Sequence, residues 1–238
     1  MIDLYTSPTP NGWKVAITLE ELELPYKTHL LTLSEKKQYE NWFKKMNPNS
    51  RIPVIVDREA ENLTIFESGA ILYYLAEKTG RLMPRDMKGR MAVMQWLMFQ
   101  MGTVGPMLGQ AHHFNAYAPE RIEREKIQYG IDRYVNESNR VYGVMDRRLQ
   151  EAEWIAAGEY TIADMAIMPW LRNPDKQGVD ISRYPNVERW RDQIWQRPQV
   201  LAALETLADQ SRQSAAHSDK AWEILYGKTQ SSQGGATD

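Results

Sequence analysis

Ile52-Pro53-Val54-Ile55-Val56, followed at a short distance by Leu63-Thr64-Ile65-Phe66-Glu67-Ser68-Gly69-Ala70-Ile71, is the stretch on which the fold turns. Two β-rich runs, Pro53 to Val56 and Leu63 to Phe66, flank a charged turn and predict a hairpin. Glu67-Ser68-Gly69 then opens a helix in which Leu72, Leu75 and Ala76 recur at i, i+3 and i+4, with Gly80 suited to its C-terminal end. Upstream, Ile2 to Thr6 reads as a strand that ends in the turn-rich Ser7-Pro8-Thr9-Pro10-Asn11-Gly12. Val15, Leu19 and Leu22 mark a helix after it, and Pro25 stops that pattern before a second strand from Tyr26 to Leu31. A short segment with Tyr39, Trp42 and Phe43 links the halves, so the order is β-α-β and then β-β-α.

Beyond Gly80 the pattern changes to long helical periods. Residues 1–80 are therefore expected as one domain, 81–90 as a linker, 91–210 as an all-helical domain and 211–238 as a partly disordered extension. Met87 to about Ala116 and Arg121 to Gln150 predict long helices, the first bent at Pro106 between Gly102, Gly105 and Gly109. Thr161-Ile162-Ala163-Asp164 has capping-box spacing, with Tyr160 and Met165 at the staple positions. Helices near Val187 to Gln196 and Val200 to Ala208 precede a tail, 227–238, rich in Gly, Ser, Gln and Thr.

The 238 residues carry a net charge of −2, with 42% hydrophobic and 25% charged residues, which is the composition of a globular chain with a real core. No basic face advertises nucleic acid. The count of zero cysteines removes disulfides, thiolate metal sites and every protein-borne thiol nucleophile, so any sulfur chemistry must borrow its thiol. Met1-Ile2-Asp3-Leu4-Tyr5 has none of the regions of a signal peptide, which makes the cytoplasm the expected location. Met91 to Pro119 holds no Asp, Glu, Lys or Arg, yet Gln95, Gln100, Gln110, His112, His113 and Asn115 interrupt it, so a buried helix is expected rather than a membrane span. Adjacent His112 and His113 diverge by about 100° on a helix and cannot jointly hold a metal, and no metal site is expected.

Three features gain weight together. Ile52-Pro53 puts a proline at the first residue of a strand, where a cis bond would present the backbone of Ile52 to a ligand; many prolines start strands for structural reasons alone. Glu67-Ser68 stands at a helix start whose amides favour a carboxylate, although taken alone it is better explained as an ordinary N-cap. Thr9-Pro10-Asn11-Gly12 lies on the edge where α/β sheets bind ligands, or is a plain turn.

These strings resemble a glutathione transferase. Ile2-Asp3-Leu4-Tyr5, Pro8 to Gly12, Asn47-Pro48-Asn49-Ser50-Arg51-Ile52-Pro53 and Phe66-Glu67-Ser68-Gly69-Ala70-Ile71 are similar to the nu class, bacterial relatives of the yeast nitrogen-catabolite prion protein. Gly105 to Gln110, His112 to Asn115 and Ile131 to Tyr134 agree, and the likeness covers about residues 1–205. The resemblance implies a thioredoxin-like α/β N-terminal domain joined to an all-α C-terminal domain, in a homodimer that binds glutathione. It assigns thiolate stabilisation to Thr9 and Asn11, with Tyr5 and Ser7 as rival donors. Ser68 would meet the γ-glutamyl carboxylate, Glu67 the ammonium, Ile52 beside a cis Pro53 the peptide middle, and Gln38 the glycyl end. Arg133 would reach in from the other subunit. The implied activity is glutathione-dependent disulfide reduction on a small disulfide. The alternatives are conjugation of small electrophiles or reduction of peroxides in a helical-domain pocket, which Trp96, Phe99, Met107, Phe114 and Tyr117 could line although core filling is the expected role for most of them, and non-catalytic, regulatory glutathione binding.

Overall fold

The computed structural model describes residues 1–32, 35–211 and 219–227. The chain forms two compact units: Met1–Leu75 together with the chain from Pro198 onward, and Ala76–Arg197.

The first unit runs β1 (Ile2–Thr6), α1 (Pro10–Glu21), β2 (Tyr26–Leu30), α2 (Asn41–Met46), β3 (Val54–Asp57), β4 (Leu63–Phe66) and α3 (Ser68–Thr79). Its four strands lie in the order β2-β1-β3-β4, with β1 parallel to β2 and the pairs β1–β3 and β3–β4 antiparallel. The predicted crossover and hairpin are both present. β3 starts at Val54 rather than Pro53, since proline has no N–H for the ladder. It extends to Asp57, whose buried carboxylate accepts from the Tyr74 hydroxyl at 2.7 Å and the Glu59 amide at 3.0 Å. Leu4, Val15, Ile17, Leu19, Ile55, Leu72 and Leu75 are fully buried between helices and sheet.

Thr9 caps α1, its hydroxyl oxygen accepting from the Gly12 amide at 3.2 Å, and Pro10 occupies the first turn, where a missing N–H costs nothing. Gly12 has to be glycine: a Cβ there would lie 2.1 Å from the Ser7 carbonyl oxygen. The helix ends at Glu21, earlier than the Leu22 and Pro25 signals predict, because Glu23 turns left-handed at φ 56°.

In the second unit, α4 (Met87–Phe99), α5 (Gly105–His112), α6 (Arg124–Gln150), α7 (Ile162–Ile167) and α8 (Pro185–Trp195) are helical. The predicted bend at Pro106 takes a particular form. Five-residue π-helical segments, Gln100–Val104 and His113–Tyr117, flank α5. Pro106 cannot donate to the carbonyl one turn back and its ring crowds that group, and the wider turn ahead of it relieves both problems. Gly105 fits the same spot, since a Cβ would lie 2.9 Å from Nε2 of the buried Gln100.

The Thr161 box forms as expected. Thr161 accepts from the Ala163 amide, while Asp164 accepts from Thr161 N, Ile155 N, Trp190 Nε1 and the Thr161 hydroxyl at 2.9–3.0 Å. Burial pushes the Asp164 carboxyl up to about 6, although its N–H donors favour the anion.

The last two helices are α9 (Pro198–Ser211) and α10 (Asp219–Tyr226). α9 packs on α1, within the first unit. α10 falls inside the stretch expected as an extension, and buries Ile224 with the Trp222 and Tyr226 rings 5.0 Å apart. The expected tail of 227–238 lies outside the described residues except Gly227. No helix among the described residues is long and apolar enough to cross a membrane.

Replacing Asp164 by alanine leaves four buried donors without their acceptor, each costing about 1–3 kcal/mol. Urea unfolding of Asp164→Ala should show a loss of at least about 3 kcal/mol; a loss below about 1 kcal/mol would mean that the box is dispensable.

Candidate functional site

The site is built by sheet register. Tyr5 of β1 pairs with Val54 of β3, which pairs with Phe66 of β4, and Thr6 pairs with Leu30 of β2. This row closes one end of the sheet, so the segments that leave it all emerge on the same edge: Ser7 to Gly12 after β1, Ile52-Pro53 before β3 and Glu67-Ser68 after β4. The chain leading to Gln38 leaves β2 from that edge as well. Thr9, Asn11, Ile52, Pro53, Glu67 and Ser68, far apart in sequence, are thereby gathered at one place.

Each element of the edge has a local cause. The Ile52–Pro53 bond is cis. Ahead of it, buried Asn47 organises a tight turn: its amide donates to the Arg51 carbonyl at 2.7 Å, and its side-chain oxygen accepts from Asn49 N at 2.9 Å. Ile52 then packs against the cluster of Leu31, Phe43 and Val54. Glu67 is exposed and left-handed, with φ 69°. Its carbonyl accepts the first bond of α3, from Ile71 N at 2.9 Å, so Glu67 rather than Ser68 stands in the N-cap position. Ser68 therefore lies in the first turn, where amides precede the first intrahelical bond, and it is only 3% exposed.

The rival donors have other roles in the structure. The Ser7 hydroxyl donates to the Leu31 carbonyl. Tyr5 stacks on His29 with ring centroids 4.6 Å apart and packs against the Leu31, Phe43 and Val54 cluster. Thr9 differs: its oxygen accepts from the Gly12 amide at 3.2 Å, and a hydroxyl that accepts in this way can also donate. Gln38 is buried in the 3₁₀ turn Lys37–Tyr39, and Asn11 is half-buried in the first turn of α1.

Lys14 is the residue that pattern reading passes over. It is 1% exposed on α1 and donates from Nζ to Ser68 Oγ at 3.2 Å. Burial pushes its amine down to about 7, against the opposing charge of Glu67. A signal existed: Lys14, Thr18 and Glu21 recur at i, i+4 and i+7 on a crossover helix that also carries Trp13, Val15, Ala16, Ile17 and Leu19, which puts a polar stripe where burial is expected.

In the second unit, Arg133 is exposed on α6 and borders an open hollow of about 630 Å³ with Met107, Tyr129, Tyr134, Asn136 and Arg140. Trp96, Phe99, Met107, Phe114 and Tyr117 are all half-buried. Among the described residues no group of three or more His, Asp or Glu could hold a metal ion.

Comparison with known proteins agrees with this architecture. Residues 1–77 match the family model for the glutathione S-transferase N-terminal domain and residues 106–198 that for the C-terminal domain. The chain belongs to the glutathione S-transferase family. It is 44% identical over 208 residues to the disulfide-bond oxidoreductase YfcG of Escherichia coli, covering 86% of this chain and 94% of that protein. A glutathione transferase from Burkholderia graminis, solved with two glutathione molecules bound per subunit, is 42% identical with a TM-score of 0.80, covering 86% of this chain and 88% of that one. One from Pseudomonas putida, solved with one glutathione disulfide per subunit, is 42% identical with a TM-score of 0.79, covering 86% and 90%.

The Lys14 amine has a consequence for stability. Below about pH 7 the folded and unfolded chains both carry its proton, and folding buries a charge. Between about 7 and the ordinary lysine value of 10.5 the unfolded chain holds the proton and the folded chain has lost it, so stability rises with pH. Lys14→Met should be more stable than the parent at pH 7 and lack this rise; urea midpoints at pH 7 and 9.5 that climb equally in both proteins would contradict it.

Proposed function

We propose that the chain is a glutathione-dependent disulfide-bond oxidoreductase whose reducing thiol belongs to bound glutathione. The observation that carries this reading is the convergence of Thr9, Asn11, Ile52-Pro53 and Glu67-Ser68 on one sheet edge in a chain without a single cysteine. Supporting it are the activity named for the Escherichia coli relative and the binding of two glutathiones, or one glutathione disulfide, per subunit in the two solved relatives. Disulfide reduction needs that count, because two thiols are oxidised to one disulfide as the substrate disulfide becomes two thiols.

Thr9 and Asn11 donate hydrogen bonds to the sulfur. Neither is a base near neutrality, so their work is to favour thiolate, assisted by the N-terminus of α1. Lowering a thiol pKa by one or two units takes about 1.4–2.7 kcal/mol, within reach of one or two charge-assisted hydrogen bonds. Ser68 and the first-turn amides of α3 bind the γ-glutamyl carboxylate, and Glu67 binds the ammonium. The backbone of Ile52 beside cis Pro53 pairs with the peptide middle as a strand would, and Gln38 holds the glycyl end.

The same reading makes the protein a cytoplasmic homodimer in which Arg133 serves the partner's site. Its support is an apolar surface that a second copy would cover: Met87, Met91 and Met98 are exposed on α4, and Tyr129 is 78% exposed on α6. Sedimentation of the full chain should give a dimer; a monomer with full activity would remove Arg133 from the site.

Steady-state assays with glutathione and a small disulfide, an aryl halide or an organic peroxide test the activity. Disulfide turnover should dominate. Thr9→Ala and Asn11→Ala should each lower kcat about tenfold with little change in KM, whereas Ser68→Ala should raise the KM for glutathione by a similar factor. Aryl-halide turnover without disulfide reduction would mark a conjugating transferase, and glutathione binding with no turnover a regulatory protein.

A further inference from the structure

The second unit holds a cleft that the chemistry above leaves unused. It has a volume of about 330 Å³ and is lined by Arg172, Asn173, Arg191, Asp192 and Trp195, all within Ala76–Arg197. Spacing builds one wall: Arg191, Asp192 and Trp195 fall at i, i+1 and i+4 at the end of α8, so Trp195 stands one turn on from both. The other wall, Arg172-Asn173, joins two 3₁₀ turns, Met168–Leu171 and Pro174–Gln177. It is pinned at both ends. Leu171 is fully buried, and Gln177 Nε2 donates to the Trp170 carbonyl at 2.7 Å while its side-chain oxygen accepts from the Tyr142 hydroxyl at 3.0 Å. The Arg172 guanidinium lies 5.9 Å from the centre of the Trp195 ring and brings the two walls together. A cleft of this volume suits a small molecule.

Charge decides which small molecule. Arg191, with 18% of its side chain exposed, is held by Asp192: Nε donates to Oδ1 at 2.8 Å, Nη2 lies 2.8 Å from the same oxygen, and Glu188 adds a longer contact at 3.8 Å. One oxygen of Asp192 and one nitrogen of Arg191 are left over. Among the described residues nothing bonds Asp192 Oδ2, Arg191 Nη1 or the Asn173 side-chain amide. A simple anion would meet Arg191 with the Asp192 carboxylate beside it, and a simple cation would meet Asp192 with Arg191 beside it, so like-charge repulsion offsets either attraction. A molecule that carries both charges on neighbouring atoms escapes that penalty. We infer that the cleft binds a free α-amino acid with an aromatic side chain. Its carboxylate accepts from Arg191 Nη1 and the Asn173 amide, its ammonium donates to Asp192 Oδ2, and its ring lies against Trp195. None of these residues belongs to the glutathione assignment, and the inference stands apart from it.

The test is calorimetric titration of the full chain near neutral pH with L-phenylalanine, and with two matched probes: 3-phenylpropionate, which lacks the ammonium, and 2-phenylethylamine, which lacks the carboxylate. The parent should bind L-phenylalanine with a Kd below about 1 mM and each of the other two at least about tenfold more weakly. Asp192→Asn should lose that preference, binding L-phenylalanine about tenfold more weakly while 3-phenylpropionate holds or improves; damage to the fold alone would weaken both. Trp195→Leu should weaken all three. Ser68→Ala should bind L-phenylalanine as the parent does, because the cleft shares no residue with the glutathione edge. Absence of binding to the parent, equal binding of L-phenylalanine and 3-phenylpropionate, or parent-like binding of L-phenylalanine in both Asp192→Asn and Trp195→Leu would overturn the inference. Loss of L-phenylalanine binding in Ser68→Ala would overturn it too, by placing the amino acid at the glutathione edge.

Discussion

A single row of paired residues, Tyr5 with Val54 and Val54 with Phe66, carries the arrangement of this protein. Three segments from distant parts of the sequence leave the sheet beside that row, and their polar groups meet only because the row is in register. A slip of one residue would turn Leu4 and Ile55 to the opposite face, and each such side chain contributes about 1.5–3 kcal/mol by burial. Core packing therefore fixes the pairing, and the site inherits its geometry from the core. The fully buried Leu4 and Ile55 are paired within the same two strands.

Around this edge, similar polar groups do different work according to where their bonds go. Ser7 and Thr9 stand two residues apart, yet Ser7 donates its proton to the Leu31 carbonyl while Thr9 accepts from Gly12 and keeps a proton to donate. Asn47 makes turn bonds and steadies the approach to Ile52. Such a set suits a chain without cysteine. In the proposed function it offers donors for a thiolate and a carboxylate and leaves the nucleophile to a small molecule.

Two buried ionisable groups show how environment separates structure from chemistry. Asp164 is surrounded by four donors drawn from its own helix start, Ile155 and Trp190, and those bonds tie the turn before α7 to α8. Lys14 instead touches a serine at the start of α3, on the side where the strand ends open. Both pKa values move toward neutrality through burial. The difference lies in the partners: Asp164 is met by four donors, while Lys14 meets a serine in the first turn of α3.

Much of this was legible in the order of residues. Period-two and helical patterns located the crossover, the hairpin, the helix after Glu67 and the capping box at Thr161, because each is a local preference written in adjacent residues. The motifs around Thr9, Ile52-Pro53 and Glu67-Ser68 were visible for the same reason. What the string of residues did not reveal was pairing across distance: that Glu67 and not Ser68 caps α3, that Ser7 is committed to Leu31, that α9 packs on α1, and that Pro106 is met by a π turn instead of a simple bend. Lys14 is the clearest case. Its position on α1 follows from local periodicity, but its contact with Ser68 spans 54 residues and its altered amine comes from surrounding bulk, and neither long-range contact nor solvent exclusion is encoded by near neighbours in the chain.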